Sequence, residues 1–375
     1  MENQNLPDDL FPQILHRLPV KSLVRFKSVC KYWYSLIQSP SFVSLHLRSG
    51  AAQNPECILV KHYGGVNGAM ILSLVHCETP TRDVDTSFTG IDIKDLQLLG
   101  PCNGIVCLTN KALNNLALNS TIVMWNPSIR EFRVLPKPSY KNDHFSTLGF
   151  GFDPSTDSYK VVKFGFHTGL IDTEDDTVEI YDSGTDSWRR VELEPPFGFG
   201  LYFTCSCCVS WNGDFYWFAG NRCGDWAIIV FRMADEVFGV IPLPEVCLLD
   251  KSKSNERRLF VLNDSLAVVI CPSVWLLPSL LRLLDKSFDV WVMEEQGVEV
   301  SWAKKFTIRP LHERYFALGF WSNGDFLLES SCGQLMSYRI DTQQIKEYQV
   351  YDQYLPRGLQ VLLCAESLVS IRRQN

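Results

Sequence analysis

The sequence predicts two unlike parts. Residues 1–48 should form a small all-α module of two or three short helices, residues 49–56 a linker, and residues 57–375 an all-β domain, a propeller of about six blades. Three observations predict this. Apolar residues recur every three or four positions from Leu6 to Ile37, which is the spacing of one helix face. From Cys57 onward that spacing gives way to short aromatic and β-branched runs between Asn-Gly, Asp-Pro and Gly-rich turns, the pattern of strands. The turns themselves return at a nearly constant interval.

In the first part, Leu6, Leu10, Ile14, Leu15 and Leu18 line one side of a helix that Pro19 ends. Pro7 with Asp8 and Asp9 suits a helix start, because a first-turn proline loses no intrahelical bond and carboxylates favour the positive end. Pro12 allows two readings: a helix from Pro7 is kinked there, whereas a start near Phe11 places it in the first turn. Leu23, Phe26, Val29, Cys30, Trp33, Leu36 and Ile37 repeat the spacing until Ser39-Pro40 stops it. Between Leu6 and Leu47, 21 of 42 residues are apolar or aromatic, more than so short a unit can bury by itself. That surface requires a cover, either the rest of this chain or a groove on a separate partner.

In the second part a hairpin pattern comes first: Ile58 to Val60, a turn near Gly64 to Gly68, then Met70 to Val75. Turns built on Asn or Asp with small polar residues follow at Asn126, Asp182, Asp285 and Asp341, and one at Arg232, at intervals of 56, 50, 53 and 56. A second set, Asn103-Gly104, Asn212-Gly213, Asn263-Asp264 and Asn323-Gly324, opens an upstream strand roughly twenty residues earlier. A period near fifty made of several strands is that of kelch-type propeller blades. Gln360 to Cys364 and Ser367 to Ile371 are positioned to close the ring beside the first blade, which would remove exposed edges. The same strands also fit an open β-sandwich.

Composition narrows the function classes. The start MENQNLPDD is no secretory signal, and the run Leu259 to Leu284 is interrupted by Asn263, Asp264, Pro272, Pro278 and Arg282, so it reads as buried strands and not as a span. Thirteen cysteines in no regular framework point to a reducing intracellular compartment. The charge of −7 is uneven: residues 1–48 carry +3, which leaves −10 for the rest. An acidic body argues against nucleic acid and tolerates a basic partner.

The order Leu6-Pro7-Asp8-Asp9, Ile14-Leu15, Leu18-Pro19, Lys21-Ser22-Leu23, Arg25-Phe26, Val29-Cys30-Lys31, Trp33 and Leu36-Ile37 resembles the F-box, a three-helix module that docks on the SKP adaptor of SKP–cullin–F-box ubiquitin ligases. By that resemblance the adaptor-facing candidates are Leu6, Pro7, Ile14, Leu15, Leu18, Pro19 and Leu23, with Val29, Trp33 and Leu36 shared between module core and contact. The body is similar to the plant F-box-associated domain, in particular to the S-locus F-box group. The stretches that carry this are Trp125-Asn126-Pro127-Ser128, Leu135-Pro136, Gly149-Phe150-Gly151-Phe152-Asp153, Tyr159-Lys160-Val161-Val162, Thr185-Asp186-Ser187-Trp188, Trp291-Val292-Met293 and Ser301-Trp302.

The resemblance implies a non-catalytic substrate receptor. It would bind the SKP adaptor and through it a cullin, and would present a protein target for ubiquitination. The S-locus likeness implies a basic S-ribonuclease of self-incompatibility as target, with an immune or developmental regulator as the alternative. The resemblance implies a cytoplasmic location, with the nucleus as a second one; the acidic body and the interrupted apolar run argue against nucleic acid and membrane as partners.

Signals for chemistry are sparse. Cys205-Ser206-Cys207-Cys208 lacks a second pair at zinc spacing, there is no phosphate-binding glycine loop or HExxH, and no metal or cofactor is expected. An enzymatic or sugar-binding β domain is the competing class. Asp172, Glu174, Asp175 and Asp176 form the densest charge cluster; it reads as a solvated loop or as a contact for a basic substrate. Trp211, Tyr216, Trp217, Trp226 and Trp321 read mainly as blade core.

Overall fold

The computed structural model describes residues 10–48, 57–64, 69–76, 82–84, 96–110, 121–139, 145–166, 177–192, 208–220, 226–244, 247, 256–271, 287–296, 299–308, 315–351 and 358–372. Four helices open it: α1 (Leu10–Leu15), α2 (Val20–Phe26), α3 (Lys31–Gln38) and α4 (Pro40–Arg48). The start at Leu10 puts Pro12 in the first turn, where its missing N–H costs nothing. The single long pattern after Pro19 is two helices, parted at Lys27–Cys30, and the Cys30 sulfur accepts from the Trp33 N–H at 3.4 Å to cap α3.

The fourth helix corrects the expected three. Ser39-Pro40 ends α3 but also starts α4, because the Ser39 hydroxyl accepts from the Phe42 N–H at 3.3 Å and Pro40 takes the first helical position.

The body is a ring of six four-stranded antiparallel sheets among the described residues. In chain order the first holds β1 (Cys57–Gly64), β2 (Ala69–His76) and β3 (Arg82–Val84); the second β4 (Leu96–Cys102), β5 (Ile105–Asn110), β6 (Ile122–Asn126) and β7 (Glu131–Val134). The third holds β8 (Phe145–Asp153), β9 (Ser158–Phe166), β10 (Thr177–Asp182) and β11 (Ser187–Val191); the fourth β12 (Cys208–Trp211), β13 (Asp214–Gly220), β14 (Trp226–Arg232) and β15 (Val237–Pro242). The fifth holds β16 (Glu256–Leu262), β17 (Ser265–Cys271), β18 (Phe288–Gln296) and β19 (Glu299–Ile308); the sixth β20 (Tyr315–Phe320), β21 (Phe326–Ser330), β22 (Gln334–Tyr338) and β23 (Ile345–Tyr351). The last strand, β24 (Gln360–Cys364), pairs with β1, Cys57 opposite Cys364, and completes the first blade from the other end of the chain. That pairing closes a propeller and removes the open sandwich. Ser367 to Ile371 does not extend the sheet; it leaves as an irregular strap.

Turn chemistry explains the repeat. Asn103-Gly104, Asn212-Gly213 and Asn263-Asp264 all carry positive φ at both residues, the geometry that joins twisted antiparallel strands most tightly. They join the first and second strands of their blades, as does Asn323-Gly324. At the turn between third and fourth strands, Asn126 accepts from Ser128 N–H at 2.9 Å and Asp182 from Gly184 N–H at 2.7 Å, so the short side chain templates the bend. Arg232 and Asp341 occupy the same turn. Asp285 lies outside the described residues, and the matching turn of its blade falls instead between Gln296 and Glu299.

Blades meet through buried apolar faces. Phe150, Phe215, Phe231 and Tyr181 are fully enclosed in one such layer. Outer strands are stitched as well: Trp188 Nε1 donates to the Pro136 carbonyl at 2.6 Å, and Trp302 Nε1 to that of Pro242 at 2.8 Å, each reaching from one blade to the end of the preceding one. Tyr216, Trp217 and Trp321 are buried as blade core, while Trp211 and Trp226 are half-buried.

Candidate functional site

The helices sit on one end of the propeller, beside the turn between β6 and β7. Leu15, Val20, Leu23, Ile37 and Phe42 form their core, and Leu368 from the strap completes it, with Ile129 of that turn packed alongside. The Glu366 carboxylate accepts from the Val20 N–H at 2.9 Å, satisfying a donor that the helix start leaves open. His46 is buried, its Nε2 bonded to the Leu18 carbonyl at 3.1 Å. Burial pushes its pKa down, against the pull of that carbonyl and of Glu366. Burial likewise lowers the Lys27 ammonium, with Glu131 of the propeller opposing.

The ten adaptor candidates therefore separate. Leu15 and Leu23 are sealed in this core, at 3% and 0% exposure. Leu18, Trp33 and Leu36 are half-buried against it. Ile14, at 50%, and Val29, at 60%, stand in solvent, and Pro19 is exposed. Leu6 and Pro7 lie outside the described residues. Sequence periodicity missed Phe11, Tyr32 and Tyr34. Phe11 meets Tyr32 at 6.1 Å and Trp33 at 6.0 Å between ring centroids, and Tyr32 and Tyr34 are 45% and 50% exposed. The missed signal was the density of aromatics on α3, whose 3.6-residue turn spreads them over two faces. Exposed apolar residues, Ile14 on α1, Val29 between α2 and α3, and Tyr32 and Tyr34 on α3, remain on a module already fixed to its own body.

The strands run between this end and the opposite one. The connections from second to third strand, and from blade to blade, leave from the opposite end. Asp172, Glu174, Asp175 and Asp176 belong to the connection from β9 to β10 and lie outside the described residues.

A cavity of about 380 Å³ opens at the helix end among Pro101, Asn103, Phe152, Ser210 and Trp211. Two of its polar groups are turned to neighbours: Asn103 bonds Tyr159, and Ser210 bonds the Cys102 thiol, which burial pushes up to about 12. Across β1, β2 and β3, Ser73 Oγ donates to Asp83 Oδ1 at 2.6 Å and meets His62 Nε2 at 2.9 Å. Here the serine is central and fully buried, not activated by a histidine that an aspartate orients. Among the described residues no three His, Cys, Asp or Glu side chains converge as metal ligands, and no helix is long and apolar enough to cross a membrane. Cys205 and Cys207 lie outside the described residues.

Comparison of the sequence with domain families and with curated relatives agrees with this architecture. The F-box domain model matches residues 4–45, and the F-box associated beta propeller domain model matches residues 72–361. The chain is 28% identical to the Arabidopsis thaliana F-box/kelch-repeat protein At3g23880, covering 82% of this chain and 80% of that one. It is 29% identical to F-box protein At3g08750 and 31% to F-box/kelch-repeat protein At3g17530 of the same plant, over 65% and 64% of this chain, and spans only 60% and 61% of those two. Among solved structures, TolB from Acinetobacter baumannii aligns with 13% identity and a TM-score of 0.46 over 85% of this chain and 70% of its own. With helices of F-box sequence seated on a closed six-bladed ring, and the second model matching most of the chain, this protein belongs to the F-box family whose body is the F-box-associated β-propeller.

Proposed function

We propose that the chain is the substrate receptor of a SKP–cullin–F-box ubiquitin ligase, with the helices docking on a SKP adaptor and the propeller presenting a protein target. The observation that carries this is the division of the module's apolar surface. One side is consumed by Leu368 and Ile129, while Ile14, Val29, Tyr32 and Tyr34 are left in water. Exposed aliphatic and aromatic residues left on a small helical module suit contact with a second protein.

The target would be held at the end of the ring away from the helices, where the longer connections leave the strands. The body's charge of −10 favours a basic protein there. An S-ribonuclease, implied by the S-locus likeness, fits that sign. The receptor makes no bonds itself; it raises the effective concentration of a target lysine near an activated ubiquitin, inside the cell where such ligases work.

Co-purification with a SKP adaptor tests the reading. Ile14→Asp and Val29→Asp should each weaken adaptor binding at least about tenfold, since each buries a charge in an apolar contact. Both should leave the melting transition nearly unchanged, because surface substitutions usually stay within about 0.5 kcal/mol. Adaptor binding equal to the parent in both variants rejects the proposal. For the target, binding of a basic ribonuclease should fall steeply with added salt; absence of binding at low salt rejects that assignment alone.

A further inference from the structure

We propose that the segment from Ala365 to Ile371 is a brace that fixes the orientation of the helical module on the propeller, with Glu366 and Leu368 as positioning residues for ubiquitin transfer; this rests on the receptor reading above. The segment has no strand or helix of its own. Much of its backbone bonding comes instead from side chains at the β6–β7 turn. Asn126 Nδ2 donates to the Ser367 carbonyl at 3.0 Å and the Val369 carbonyl at 2.8 Å, and Ser128 Oγ accepts from Ser367 N–H at 3.2 Å. The Glu131 carboxylate accepts from the Ser370 hydroxyl at 2.7 Å and from Ile371 N–H at 3.3 Å.

Its side chains face two ways. Val369 and Ile371 pack into the propeller core. Leu368 packs among Leu15, Val20, Leu23, Ile37 and Phe42, and Glu366 takes the first amide of α2. A layer shared by two cores couples their orientation, because neither can turn without opening the other.

The fit is close beneath it too. A Cβ on Gly104 would lie 2.3 Å from Ser367 Cβ and 2.8 Å from the Ala365 carbonyl oxygen, so this turn is pressed against the strap. A strap that merely sealed the floor of the ring would need Val369 and Ile371. It would not need Leu368 and Glu366, which point the other way.

Orientation matters because the acceptor lysine Nζ must attack the ubiquitin thioester carbonyl and displace the conjugating enzyme's cysteine thiolate as the isopeptide bond forms, and a loosely held receptor spreads its lysines over many positions. Two full-chain variants test this. Leu368→Ala opens the module side. Asn126→Asp keeps the acceptor to Ser128 but replaces both donors to the strap with an anion facing two carbonyls.

Hydrogen exchange needs no partner. In both variants the α2 amides, Val20 first, should exchange at least about tenfold faster, with β9 and β17 unchanged. In a ligase reconstituted with SKP adaptor, cullin, conjugating enzyme and ubiquitin, the receptor's own lysines serve as the probe. Adaptor affinity should stay within about twofold of the parent while the set of modified lysines broadens. Helix exchange equal to the parent in both variants, or an unchanged lysine pattern with the adaptor bound, overturns the brace. A parent chain that binds no adaptor overturns the receptor reading instead, and exchange alone then judges the brace.

Discussion

Lys160 shows what single residues contribute to the ring. Its Nζ donates to Asp153 at 2.7 Å, to Glu236 at 2.7 Å and to the Met233 carbonyl at 2.9 Å, so a side chain of the third blade clasps the β14–β15 turn of the fourth. Arg189 also pairs with Glu236. Burial alone would raise the Asp153 carboxyl, but Lys160 and the Ser155 and Thr156 hydroxyls hold it well below the usual carboxylate range. Its stabilising effect is therefore complete above the ordinary carboxylate pKa and is lost as pH falls beneath it. Asp153→Asn should cost about 1.5–3 kcal/mol by denaturant melts, since it removes one charged partner of Lys160 and leaves Glu236.

His46 acts in the same direction at milder acidity. The unfolded side chain gains its proton near 6.5 and the folded one only at lower pH, so the helices should lose stability as pH drops below 6.5, followed by helical circular dichroism. Cys102 and Cys107, both buried with thiols pushed up to about 12, should resist alkylation at pH 8 in the native chain, while exposed Cys30 and Cys332 react.

Among elements, the joints between blades carry the specificity of the fold. Gly151 has no room for a side chain: a Cβ there would meet the Gly213 carbonyl oxygen at 2.2 Å and Met233 at 2.8 Å. Gly151→Ala should force the third and fourth blades apart and cost about 1–3 kcal/mol, as overpacking does, seen as a lowered melting temperature. The tryptophan stitches are gentler. Trp302→Phe keeps the ring surface but loses the bond to Pro242, an effect of about 1 kcal/mol.

Legibility differed between these features. The Asn-Gly and Asp turns were readable because positive φ demands particular residues, a local requirement. The tightness at Gly151 was not, since its cause is a carbonyl from a turn some sixty residues later. Ser39-Pro40 misled for another reason: the same two residues serve equally to stop one helix and to start the next.

For the molecule as a whole, closure is the decisive act. β24 joins β1 across a separation of more than 300 residues, with Cys57 Sγ donating to the Cys364 carbonyl at 3.0 Å. Truncation before Gln360 removes the closing strand and the strap together. It should leave β1 as an open edge and yield aggregates on size-exclusion chromatography, because unpaired edges template further pairing.

What the sequence determined by itself was whatever depends on near neighbours: helix spacing, turn residues, the fifty-residue repeat and the uneven charge. These rest on backbone preferences and periodic burial, which each short segment carries within it. Only the tertiary structure decided which apolar residues are spent inside the molecule and which remain for a partner. Leu15 and Ile14 are adjacent and equally greasy, yet one is sealed under Leu368 and the other stands in water. Burial of that kind depends on a segment 350 residues away, and no local pattern encodes its arrival.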